Sequence, residues 1–396
     1  MQDPRPELRA LTGLRGVAAM TVALAHLRLP LPYDAQVFFR WESAAVDLFF
    51  CLSGFTLSYV YSREKFRFSS YLTARVARIY PLYFVTLIAA GAVYVLPLMI
   101  NPTTYPARTA ISDFLLQTLM MNSWPVIGSG VHWNIPAWSI SVEWFCYVLL
   151  FPLLLLQKAP RATSTKLLCL VVLSAVSYKL FMNYFDARFA EFYVAKSQWS
   201  YWVNLLRGVF GFTAGWIIFA SFEKRDELHA FSARFSTPIW LGFVAILILW
   251  YYRLVHSQAL VFLFPFVVLA ATDPASVTSR LLGSKVLHFL GVISYSIYMT
   301  HAIVFILFIR ADPKLDAWPM SIYVLLVGTI FIISIGTYFA IEMPARNSLR
   351  QRMHLARPQI EVDRVVRDDP GEALRDAAQL QDGRTVGHGP RFYGEK

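Results

Sequence analysis

Long apolar runs separated by short stretches rich in charge, proline and glycine recur along most of the chain. A helix needs about 20 mainly apolar residues to cross a bilayer. Ten such runs are read, at about 10–29, 44–61, 79–100, 138–156, 167–185, 200–220, 238–255, 258–272, 286–309 and 320–342. The eighth follows the seventh so closely that the two form either a tight hairpin or a partly re-entrant pair. The pattern predicts an all-α, polytopic membrane protein with about ten transmembrane helices. Behind the first run there is no small-residue cleavage site, and the run holds Arg15 and His26, so it reads as an uncleaved signal anchor.

Composition supports the pattern. Of 396 residues 57% are hydrophobic and only 15% charged, with a mean hydropathy of +0.48, against about 25% charged in an ordinary soluble domain. The net charge of +11 is explained by place rather than by nucleic acid. With the N-terminus inside, Arg5, Arg9 and the loops around 62–78, 157–166, 221–237 and 273–285 hold more Lys and Arg than the opposite loops. That bias retains both termini in the cytoplasm. Residues 1–345 read as the transmembrane domain and 346–396 as a basic cytoplasmic tail, largely disordered after a short amphipathic start. Cys51, Cys146 and Cys169 all lie in apolar stretches without a C-x-x-C pair, which predicts packing residues, no disulfide framework and no metal site.

An ionisable side chain at bilayer depth costs a few kcal/mol and is a functional hypothesis by default. Within or beside the runs stand Arg15, His26, Asp47, Glu143, Arg207, His301 and Glu342. Arg15 and His26 are eleven residues apart, close to three full turns, so they share a helix face about 16 Å apart along the axis. They read either as an inner cation and an outer imidazole serving an anionic ligand, or as a snorkelling Arg and a hydrogen-bonded His. Asp47 opens the second run, and Ser53-Gly54 at its middle suits close packing or access to a ligand. Arg75 and Arg78 share a face at the cytoplasmic surface, where guanidinium forks suit phosphates but also serve as ordinary topology charges. Trp133 and Trp138 mark the outer interface, with Glu143 just below and His26 at similar depth as its expected partner. Ser294, Tyr298 and His301 form a polar stripe in the ninth run, lining a cavity or bonding within the bundle.

The chain contains no G-x-x-x-x-G-K-[ST] loop, no H-E-x-x-H, no G-x-S-x-G and no His followed five positions later by Asp. An ATP-driven transporter, a zinc protease, a serine hydrolase and a soluble-type glycerolipid acyltransferase are therefore disfavoured. Six segments in order carry a resemblance: L-R-A-L-T-G-L-R-G-V-A-A with His26 eleven after Arg15, A-V-D-L-F-F-C-L-S-G-F, R-V-A-R-I-Y-P, W-S-I-S-V-E-W-F-C-Y, L-G-V-I-S-Y-S-I-Y-M-T-H and I-E-M-P-A-R. Across most of 8–346 the sequence resembles the acyltransferase family 3 membrane proteins, which O-acylate extracytoplasmic carbohydrates and some small molecules. Ile140 and Trp144 depart from the family pattern around the glutamate.

The resemblance implies catalytic roles for His26, Arg15 and Glu143, and acyl-CoA binding by Arg75 and Arg78. Asp47, Ser53, Gly54, Trp138, Tyr298 and His301 are the candidate pocket residues. It implies an O-acetyltransferase of the bacterial inner membrane that takes an acyl group, acetyl first, from cytoplasmic acyl-CoA to a hydroxyl of a carbohydrate or lipid-linked glycan. The acceptor would be of exopolysaccharide or O-antigen type, with polysaccharide-biosynthesis proteins as partners. Acyl-CoA is then a substrate, no bound cofactor is expected, and His26 acts as general base or is itself acylated. The rival reading is a carrier or flippase of lipid-linked glycan, whose expected matching broken repeats are not visible.

Overall fold

The computed structural model describes residues 6–27, 41–61, 64, 66–96, 107–128, 133–190, 198–313 and 318–348; the expectations for the rest of the tail lie outside them. Every regular element among the described residues is helical, with no strand. In chain order the helices are α1 (Arg9–His26), α2 (Glu42–Val60), α3 (Phe68–Ala90), α4 (Ala107–Thr118) and α5 (Ala137–Leu156). There follow α6 (Thr163–Ala190), α7 (Gln198–Lys224), α8 (Glu227–Arg234) and α9 (Ser236–Tyr251). A 3-10 turn at Ser257–Phe262 leads into α10 (Phe264–Ala271), α11 (Val277–Leu282), α12 (Lys285–Val292), α13 (Ser294–Ala311) and α14 (Met320–Ser348).

The all-helical class is as the sequence indicates, but the count of ten spans is not reproduced. Among the described residues seven helices are long and apolar enough to cross a bilayer, or eight if α8 and α9, bent by 69°, form one span. α1 has the length, but Arg9, Arg15 and His26 dilute its apolarity. The run at 258–272 is a 3-10 turn plus an eight-residue helix, and the run at 286–309 breaks at Ile293 into α12 and α13.

Packing sets α2 at the centre: 78% of its apolar window is buried, against 22% for α14. On α14, Val324, Leu325 and Ile332 are exposed, as expected of a face turned to lipid tails. α7 runs along α2 at a separation only glycine permits. A Cβ added to Gly54 would lie 2.0 Å from the Phe212 carbonyl oxygen, and one added to Gly215 2.1 Å from that of Cys51. Such small-residue contacts replace the hydrophobic drive that lipid removes. α1 packs on α12 and α13, so the helix bearing Arg15 and His26 is pinned to the one bearing Tyr298 and His301. Single π turns at Cys146–Leu150 in α5 and Tyr338–Glu342 in α14 occur beside the polar interior, a frequent setting for such bulges.

Candidate active site

A cavity of about 740 Å³ of empty space, counted to its open mouth, is bounded by α1, α2, α3, α5 and α13. Its polar lining gathers Arg15, Ser53, Arg75, Arg78, Glu143 and Tyr298, all singled out in the sequence. Their convergence follows from local spacing. Arg75 and Arg78 sit one turn apart on α3, while Ser139, Glu143 and Tyr147 recur every fourth residue along one face of α5.

Within the cavity Glu143 is the fixed point. Ser53 Oγ and Tyr147 Oη both donate to its Oε1, the latter at 2.5 Å. Ser139 and Tyr298 join their hydroxyls at 2.6 Å, and Tyr295 Oη donates to the Ile79 carbonyl at 2.9 Å, tying α13 to α5 and α3. Arg75 is buried, with Nη2 3.5 Å from Tyr61 Oη and its guanidinium over the Tyr61 ring. Arg15 and Arg78 line the cavity and make no hydrogen bond or ion pair among the described residues. Arg78 also lies within the electrostatic reach of Arg15, Arg346 and Arg75. Arg346 is paired with Glu342, whose other oxygen accepts from Ser296 Oγ at 3.1 Å. Guanidinium donors such as those of Arg15 and Arg78 have the chemistry to bond oxyanions, phosphates included.

His26 lies elsewhere. It is exposed at the far end of α1, with Nδ1 2.8 Å from the Val22 carbonyl oxygen and its ring 5.3 Å from that of His301. The expected Glu143–His26 pairing is therefore not the arrangement found: Glu143 Oε1 accepts from Ser53 and Tyr147 within the cavity lining, to which His26 does not belong. His301 is fully buried and 6.0 Å from the Tyr298 ring. Tyr298 thus stands between the arginine-lined cavity and the two imidazoles.

The remaining candidates are placed apart. Asp47 is on the other face of α2, where Oδ2 receives Arg207 Nη2 at 3.0 Å and Gln258 Nε2. It lines a separate cavity of about 320 Å³. Gly54 packs against α7, and Trp138 is half-buried outside the cavity lining. Sequence reading had missed Tyr147, Ser139, Tyr295 and Arg346. The i, i+4 relation of Tyr147 and Ser139 to Glu143, and of Arg346 to Glu342, was the available signal. Among the described residues no group of three or more His, Cys, Asp or Glu could hold a metal.

Residues 8–339 match the family of the acyltransferase domain. The chain is similar to acyltransferase MdmB of Streptomyces mycarofaciens, with 35% identity over 165 residues, 39% of this chain and 41% of that protein. It is similar also to protein 2 in the picA locus of Rhizobium radiobacter, with 36% identity over 102 residues, 24% of this chain and 49% of that one. The matched regions thus span less than half of these relatives. No solved structure matches the chain.

Proposed function

Because the chain belongs to the acyltransferase domain family, which it matches over residues 8–339, we propose that it is a membrane O-acyltransferase that moves an acetyl group from cytoplasmic acetyl-CoA to a hydroxyl of a cell-surface carbohydrate. In this reading the membrane is the bacterial inner membrane and the acceptor is of exopolysaccharide or O-antigen type. The observation that carries it is the cavity in which Arg15 and Arg78 face open space beside Arg75. The pyrophosphate and 3′-phosphate of CoA supply the oxyanions those forks lack. With both termini cytoplasmic, the Arg15 end of α1 faces the donor.

The donor's flexible arm then spans the roughly 16 Å along α1 from Arg15 to His26, passing Tyr298. At His26 the Val22 carbonyl can only accept, so Nδ1 carries the proton and Nε2 presents its lone pair. The acceptor oxygen attacks the thioester carbon, its proton passes to Nε2, the C–S bond breaks, and the imidazolium returns the proton to the thiolate. General-base action of this kind contributes typically about 10²–10⁴-fold. Glu143 contributes the countercharge that keeps the arginine group assembled before the donor binds, rather than the orientation of His26.

The test uses the full chain in membrane vesicles with labelled acetyl-CoA and extracted surface glycan. Label should appear on the glycan as a base-labile ester, and Arg78→Gln should raise KM for acetyl-CoA more than it lowers kcat. Glycan crossing the vesicle membrane without ever gaining label would instead mark a carrier.

A further inference from the structure

His301 takes no part in the transfer as described, yet its placement is costly for a merely structural histidine. It is fully buried, Nδ1 lies 3.1 Å from the Ile297 carbonyl oxygen, and Nε2 has no hydrogen-bond partner among the described residues. A carbonyl only accepts, so the proton of the neutral ring is on Nδ1 and Nε2 is a bare acceptor. Leaving such an atom unsatisfied in the interior forfeits its hydration with nothing in return. His26 repeats the arrangement one helix away: the same i−4 carbonyl holds its Nδ1, and the two rings are 5.3 Å apart and tilted by 41°. Two imidazoles therefore stand side by side with the same tautomer, each with an acceptor nitrogen and neither with a donor to spare for the other. What fits two adjacent acceptors is a ligand with two adjacent donors.

We propose that His26 and His301 together read a pair of neighbouring hydroxyls on the acceptor, His26 activating the one to be acylated and His301 accepting a hydrogen bond from the one beside it. The inference rests on the acyl-transfer reading above and narrows its acceptor to sugars that carry a diol at the reacting position. His301 is then a specificity residue. A site built to bond a hydroxyl discriminates strongly against a ligand that lacks it, whereas an isolated alcohol satisfies His26 and leaves His301 unpaired.

The experiment compares two acceptors with the full chain in vesicles and labelled acetyl-CoA: extracted surface glycan, and the same glycan after periodate cleavage and borohydride reduction, which turns vicinal diols into separated alcohols. The wild-type chain should prefer intact glycan by at least about fivefold, the lower bound for an unpaired buried acceptor. His301→Ala should lose most of that preference by falling much further on the intact glycan than on the cleaved one. His301→Gln, which keeps an acceptor oxygen, should recover part of it. Equal wild-type rates on both glycans would overturn the inference alone, as would a His301→Ala chain whose rates fall equally on both. Absence of transfer to either glycan by the wild-type chain would remove the acyl-transfer reading and this inference with it.

Discussion

Glu143 shows how a single residue was both legible and misplaced. A carboxylate in an apolar run needs partners, and that much follows from solvation alone. Depth along a helix says nothing of azimuth, however, so the inference that chose His26 by depth missed Tyr147, one turn away on the same face. Hydrogen bonds to a charged acceptor contribute about 1.5–3 kcal/mol each. Glu143→Gln keeps an acceptor but loses the charge, and it should lower stability by about 2 kcal/mol. Because CoA would supply replacement negative charge, its addition should restore more of the loss in Glu143→Gln than it adds to the wild type, measured as Tm in detergent at low salt. Asp226 offers a pH test. Burial pushes its carboxyl up, but hydrogen bonds from Lys166 and from the His229 backbone outweigh this and hold it below the usual carboxylate value. Its contribution is therefore fully present above about pH 4 and is lost as pH falls from there through the lower pKa of the folded state. Asp226→Asn should cost about 3 kcal/mol at neutral pH, since it strands the fully buried Lys166 ammonium, and should flatten the acid limb of Tm against pH.

Among the elements, hydrophobic run length located most helices but not their breaks. Ile293 lies within one continuous apolar run, and only packing divides it into α12 and α13. The twelve-residue α4 was missed because it is too short and polar to register as a span; its Asp113 and Gln117 are fully buried. Ser53-Gly54 was recognised as a packing or access step, and each residue takes one role: Ser53 bonds Glu143, and Gly54 admits α7. Gly54→Ala puts a methyl group against the Phe212 carbonyl, and overpacking of this kind costs about 1–3 kcal/mol. Gly336→Ala on α14 meets nothing within 4 Å and should instead raise stability by about 0.5–1 kcal/mol through helix propensity. Thermal unfolding of the two variants in one detergent would show the opposite signs.

At the scale of the whole molecule, the scarcity of charge that identifies a membrane protein also makes its few interior ionisable groups informative. Arg15, Arg75, Arg78 and Glu143 come from three stretches of sequence and converge on one cavity; their order along the chain carried the family resemblance, and their convergence required the packing of α1, α2, α3 and α5. His26 and His301 form a second centre, separated from the first by Tyr298. A molecule with an anion-binding end and an imidazole end suits transfer of a group from a phosphate-bearing donor to an acceptor arriving on the other side. The most direct test is mass spectrometry of surface glycan from cells carrying either the wild-type chain or His26→Ala at equal membrane abundance. The expected result is acetyl ester on the glycan with the wild type and none above background with His26→Ala; equal ester from both, or none from either, would contradict the account.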